Sequence, residues 1–300
     1  MFFIILNYFA NMKQRLSLVF ILFLGISVQA QSILWKVSGK KIKSPSYLYG
    51  SIHIQDKRVF AFDQIVLDAF MSTEAFAMEI LIDEVTPQEI KEAMFMKNNT
   101  IEEFLTPEQY KILDSIVKAK TGIGMLMYNK MKPFFLSSQI MQLNLKKEMD
   151  DALDLYFLKY ARKEGKTVYG VEKFAHQVAA IDKISLKEQV EMLYKGLTDT
   201  TISSDEKKFE ELLQAYLNFD LNKLFELSND TSLPKNFNKA FLIDRNKVMA
   251  KNFIKIAKKQ TLFCVIGAAH LPGENGVINL LRKKGLSVEP VIFNWIEVNQ

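Results

Sequence analysis

Tyr47-Leu48-Tyr49-Gly50-Ser51-Ile52-His53 and Phe263-Cys264-Val265-Ile266-Gly267-Ala268-Ala269-His270 are written alike: an apolar strand, a glycine, two small or apolar residues, a histidine. The chain holds 12 Gly in 300 residues, so a given histidine has roughly a one in twenty-five chance of a glycine three places before it. Two of its three histidines meet that condition, which is more than coincidence supplies. A glycine at a strand end is expected to let the backbone turn through φ values that other residues resist. The histidine is then delivered at the C-terminal edge of a sheet, where α/β proteins build their sites.

Outward from these stretches, strands are expected at Ile33–Val37, Tyr47–Gly50, Ala75–Ile80, Lys166–Val171, Thr261–Gly267 and Ser287–Phe293. The first two read as a hairpin around a turn containing Gly39 and Pro45. Helical spacing runs from Phe62 to Met71. Thr86-Pro87-Gln88-Glu89, Thr106-Pro107-Glu108-Gln109 and Ser185-Leu186-Lys187-Glu188 are three helix starts with capping-box chemistry. Residues 87–164 are thus mostly helical, closed by Gly165, and helices resume over 174–258 with a break at Pro234. The end of the chain reads strand, loop, helix (Glu274–Lys284, closed by Gly285), strand. Strands near both ends with helices between imply a mixed α/β (α+β) fold. Its central sheet would be built from N- and C-terminal parts around a large helical insertion.

Hydrophobic residues make up 49% and charged residues 24%, the balance of a folded soluble domain. The net charge of +5 includes Lys13 and Arg15 near the N-terminus, and the other lysines are dispersed among acids, so no nucleic-acid partner is expected. Met12-Lys13-Gln14-Arg15, the apolar run Leu16–Ile26 and Ser27-Val28-Gln29-Ala30 have the three parts of a secretory signal. Residues 1–30 are therefore expected to be a signal peptide cleaved after Ala30, with Met12 as an alternative start and a retained signal anchor as the other outcome. That makes 31–300 one exported domain, periplasmic or secreted, with no integral membrane segment once the signal is removed. Cys264 is the single cysteine, so disulfides cannot hold the chain together.

Two carboxylates resemble the histidines in placement. Glu79 lies in the apolar strand Phe76-Ala77-Met78-Glu79-Ile80, and Glu172 ends Thr167-Val168-Tyr169-Gly170-Val171-Glu172. A carboxylate in such a setting needs a cation, a hydrogen bond or a metal. Two histidines and two glutamates at strand ends suit a divalent ion of the Mn, Fe, Co or Zn kind. The bland alternatives are a structural ion pair for each glutamate and a solvated helix face for Asp244-Arg245-Asn246. His176, at a helix start, reads as structural. There is no His-Glu-x-x-His, no Gly-x-Ser-x-Gly and no phosphate loop.

Taken in order, Leu34-Trp35-Lys36-Val37 and Tyr47–His53, Ala77-Met78-Glu79, Gly165–Glu172, Arg245-Asn246 with Met249-Ala250, and Gly267–Gly276 resemble the blocks of the TraB/GumN family, which includes the animal Tiki proteases. Ser51 stands where Thr is commoner and Lys173 where Thr often follows. The resemblance implies a fold related to erythromycin esterase-like and Tiki domains. It also implies metal-dependent hydrolysis of a peptide or protein substrate, with His53, His270 and Glu79 central and Glu172 beside them positioning the site; the placement of the residues themselves makes His53, His270, Glu79 and Glu172 the expected metal ligands. Arg245, Asn246 and Ser51 would be supporting neighbours. A non-catalytic envelope binding protein that keeps the fold, and an esterase with a histidine base, are the other readings.

Overall fold

The computed structural model describes residues 32–143, 145–198, 205–228 and 237–296. The signal segment, Met12 and Pro234 lie outside the described residues. Six strands form one sheet: β1 (Leu34–Ser38), β2 (Ser46–Ser51), β3 (Ala75–Met78), β4 (Thr167–Gly170), β5 (Leu262–Gly267) and β6 (Ser287–Pro290), in the order β4-β3-β5-β2-β1-β6. β4, β3, β5 and β2 are mutually parallel, whereas β1 is antiparallel to both β2 and β6. Residues Leu262–Ile266 and all four residues of β3 are buried, as strands covered on both faces must be. β5 comes from the last fifth of the chain and lies between β2 and β3, so the sheet unites distant segments as expected.

Twelve α-helices accompany it among the described residues. α1 (Gln64–Met71) is capped by Asp63 rather than starting at Phe62, because the Asp63 carboxylate accepts the Ile65 N–H. α2 (Pro87–Met94) and α3 (Pro107–Thr121) both begin with complete capping boxes. α4 (Met125–Tyr128), α5 (Pro133–Leu143) and α6 (Leu153–Lys163) complete the insertion between β3 and β4. α7 (Phe174–Ile181), α8 (Leu186–Thr198), α9 (Asp205–Leu217) and α10 (Leu221–Ser228) follow. A five-residue π-helical turn at Lys239–Ile243 runs directly into α11 (Asp244–Ala257), and α12 is Val277–Lys283. Gly165 (φ 69°) and Gly285 (φ 82°) close α6 and α12 in left-handed conformations that cost glycine little.

Two apolar cores result. Tyr49 and Phe263 from the sheet meet Phe157 of α6 and Phe70 of α1, with ring centroids 5.3–5.9 Å apart for Tyr49–Phe157, Phe157–Phe263 and Phe70–Phe157. The second core lies within the helical insertion, where Leu113, Val117, Met125 and Leu136 pack with Val190 and Leu193 of α8.

Candidate functional site

All four expected residues lie just beyond the C-terminal ends of parallel strands. Ser51 pairs with Gly267 in the β2–β5 register, and Met78 pairs with both Val265 and Gly170. His53, His270, Glu79 and Glu172 therefore leave four adjacent strands at one edge of the sheet. The glycines before the histidines correct the expected reason for their presence. Gly267 has φ −55° and Gly50 is not among the positive-φ glycines, so neither needs glycine's freedom. Space is the constraint. A Cβ on Gly50 would lie 2.6 Å from Leu271 Cδ1 and 3.1 Å from Ala268 Cα. One on Gly267 would lie 3.2 Å from Glu79 Oε1 and 3.5 Å from the His270 ring.

Glu79 is the hub. Its Oε1 accepts the Gly267 N–H at 2.8 Å, and its Oε2 accepts Arg245 Nη2 at 2.5 Å and Gln177 Nε2 at 3.2 Å. Burial works to raise its pKa, but the charge of His270 when protonated, the Arg245 guanidinium and the Gly267 N–H outweigh it and hold the carboxyl below its ordinary value. Arg245 also grips Glu172, with Nε at 2.8 Å and Nη2 at 2.6 Å from Oε1. Burial disfavours the Arg245 charge, and the two carboxylates more than compensate, raising its pKa. Its remaining nitrogen, Nη1, donates to Phe241 O in the π-helical turn. Every guanidinium nitrogen is thus engaged within the protein. Arg245 and Asn246 do not form a solvated helix face: Asn246 is buried, and the Arg245 side chain is 11% exposed.

Asn246 determines the state of His270. Its Nδ2 donates to Asn275 O at 2.9 Å, which turns its Oδ1 to His270 Nδ1 at 2.6 Å. An amide oxygen can only accept, so Nδ1 carries the proton. Burial lowers the His270 pKa to about 4, with Glu79 opposing and Arg245 assisting, so the ring is neutral at pH 7. Its Nε2 lone pair then faces Glu79 Oε1 across 3.7 Å. Two acceptors facing each other suit a cation between them. Two bonds of about 2.1 Å each span up to about 4.2 Å, so the separation accommodates a zinc-like ion. A metal-binding histidine ordinarily donates its other N–H to such a partner.

His53 is placed differently. Its side chain is 64% exposed, and Nδ1 lies 2.8 Å from both carboxylate oxygens of Asp154, in the first turn of α6. That hydrogen bond raises its pKa, and the Glu79 charge adds to the effect. Among the described residues no group of three His, Cys, Asp or Glu side chains is close enough to hold an ion. Glu172 has a fully buried side chain engaged by Arg245 rather than by either histidine. Ser51 is buried at the end of β2, whose Gly50 carbonyl accepts the Tyr216 hydroxyl at 2.9 Å.

Sequence reasoning missed Asp154, Gln177 and Tyr216. Gln177 follows His176, which the sequence reads as structural; His176 is exposed, and its neighbour reaches Glu79. Nothing in the local sequence marks Asp154 among the acids at 150, 151 and 154.

A family model described as the TraB/PrgY/gumN family matches residues 33–290. Metalloprotease TIKI2 of Danio rerio is 22% identical, covering 89% of this chain and 63% of its own length. Metalloprotease TIKI1 of Danio rerio is 24% identical over 86% of this chain and 63% of its own. The metalloprotease TIKI homolog of Amphimedon queenslandica is 24% identical over 86% and 61%. The chain thus spans less than two thirds of the length of these relatives, and their names establish a hydrolase and protease relationship at low identity. No solved structure matches. No helix among the described residues is long and apolar enough to cross a membrane.

Proposed function

Because the chain belongs to the TraB/PrgY/gumN family, we propose that it is an exported, metal-dependent hydrolase acting on peptide bonds. The observation that carries this is the neutral, Nδ1-protonated His270 presenting Nε2 to the Glu79 carboxylate at 3.7 Å. His270 and Glu79 would hold a divalent ion of the Mn, Fe, Co or Zn kind, and His53, presenting Nε2 from its Asp154 pair, would be the third ligand. When bound, such an ion polarises a carbonyl and lowers the pKa of water. Arg245 keeps Glu79 ionised and aimed, with Glu172 as its counter-anchor. Asn246 and Asp154 each take the Nδ1 proton of their imidazole, so that the neutral ring carries its lone pair on Nε2. Glu79, with its side chain 22% exposed, is the carboxylate in this cluster that substrate can reach.

One observation favours a second reading, a binding protein that keeps the fold: His53 is turned outward and three donors are not gathered round one point. Metal content separates the two. Protein purified without chelator is expected to take up about one divalent ion, and His53→Ala/His270→Ala none. Peptide cleavage should then be lost in Glu79→Gln with the circular dichroism unchanged. A folded parent that binds none of the four ions gives the lead to the binding-protein reading.

A further inference from the structure

α4 is four apolar residues, Met125-Leu126-Met127-Tyr128, and they divide evenly between inside and outside. Met125 is fully buried and Tyr128 is 8% exposed, both packed into the core of the helical insertion with Leu113 and Val117. Leu126 is 80% and Met127 72% exposed, the highest values of any large apolar side chain among the described residues. Ile123, just before them, is 47% exposed.

The tip that carries them is held firmly. α3 ends at Gly122 with φ 78°, a left-handed turn suited to glycine. The Ile123 N–H donates to Thr121 Oγ1 at 3.1 Å, and the Met125 N–H to Asp114 Oδ1 at 2.6 Å. Gly124 leaves room for that last contact, since a Cβ there would lie 2.8 Å from Asp114 Oδ1. A fixed turn displaying three aliphatic side chains to water is a contact surface rather than a loop that happens to be apolar.

Its charge identifies the partner. Residues 115–132 contain Lys118, Lys120, Lys130 and Lys132 and no Asp or Glu, and two acids that reach the tip from outside that stretch, Asp114 and Glu102, accept from the Met125 N–H and from Asn129 Nδ2. Lys132 pairs with Asp182; the other three are exposed and form no ion pair among the described residues. A stable protein interface buries about 800 Å² per partner, more than three side chains present. A lipid surface needs no such area, because each inserted side chain gains by itself and each nearby lysine adds attraction to anionic headgroups.

We propose that the α3–α4 tip docks peripherally on an anionic membrane surface. Ile123, Leu126 and Met127 enter the acyl boundary, and Lys118, Lys120 and Lys130 lie at the headgroups. This is independent of the metal site, and would hold for either reading of the function.

The test uses the full chain with Met127→Cys carrying an environment-sensitive fluorophore. Cys264 is buried, so labelling is selective for the tip. Vesicles of equimolar phosphatidylglycerol and phosphatidylcholine should shift the emission to the blue, and phosphatidylcholine alone should not. Adding Lys118→Ala, Lys120→Ala and Lys130→Ala should weaken partitioning by about fivefold per lysine, and Leu126→Glu should abolish the shift with the thermal melt unchanged. A tip that stays in water on anionic vesicles overturns the proposal, including when the N-terminal segment carries the protein to them. A shift that follows protein concentration without vesicles also overturns it and assigns the tip to a second copy of the chain.

Discussion

His270→Gln is expected to flatten the acid limb of the stability curve. Burial moves His270 from an ordinary value of about 6.5 to about 4 in the folded chain. Between those values the unfolded chain binds a proton that the folded chain does not, so stability rises with pH across the window. The contribution is complete above about pH 6.5 and is lost as pH falls towards 4. The fall from about 6.5 to about 4, at about 1.4 kcal/mol per pH unit, makes the loss about 3–4 kcal/mol. Glutamine does not titrate, so the variant lacks this slope whatever its stability at pH 7. Urea unfolding at several pH values between 4.5 and 7.5, followed by circular dichroism, measures both curves. A chelator is needed throughout, because an ion on Nε2 would hold the ring neutral and add its own pH dependence. The raised pKa of His53 acts with the opposite sign, stabilising at low pH and fading as pH rises through its folded value. It is common to both proteins and cancels in the difference. Parallel curves would refute the placement of a neutral imidazole beside Glu79.

Arg245→Leu leaves Glu79 and the fully buried Glu172 without their cation and should cost about 3–5 kcal/mol in denaturant melts. Arg245→Leu/Glu172→Leu should recover most of it, and a single-variant loss under about 1 kcal/mol would mean the pair is not ionic. Gly50→Ala forces a Cβ to within 2.6 Å of Leu271 Cδ1 and should lower stability by about 1–3 kcal/mol. Gly267→Ala, crowding Glu79 and His270 at 3.2 and 3.5 Å, should melt closer to the parent but lose more metal affinity in calorimetric titration. Asp154→Asn should weaken metal binding by about 10–100-fold with little change in melting, because the His53–Asp154 pair is exposed on the histidine side. An unchanged affinity would remove His53 from the ligand set.

The strands were legible because their signals are local. Continuous apolar runs such as Phe263–Ile266 can only be buried, and the capping boxes at Thr86, Thr106 and Ser185 mark helix starts by hydrogen bonds made within four residues. The convergence of strand ends was legible too, since parallel pairing of β2, β5, β3 and β4 aligns their C-termini. Contacts across long separations were not. Asp154 meets His53 across 101 residues and Gln177 meets Glu79 across 98, and neither neighbourhood carries a pattern that requires the other. The purpose of Gly50 and Gly267 was misjudged for the same reason. Their constraint is set by atoms of Leu271, Ala268, Glu79 and His270 in space, and a sequence displays only the glycine's own freedom.

Two copies of one motif end in unlike histidines, and the difference lies in what covers each strand end. β5 runs beside α11, whose first turn brings Arg245 to Glu79 and Asn246 to His270, so the imidazole is buried, neutral and fixed before any ligand arrives. β2 has Tyr216 on its Gly50 carbonyl, but beyond it His53, between the buried Ser51 and Ile54, is itself exposed, with its hydrogen bond to Asp154 in the first turn of α6. The candidate site thus has one side, His270, Glu79 and Arg245, tied together by part-buried contacts, and another on which the exposed His53 rests on the part-buried Asp154. A site held this way keeps its preorganisation where desolvation is strongest and its adjustment where water still screens. Substitutions on the α11 side should therefore alter folding and function together, whereas those on the Asp154 side should alter function alone.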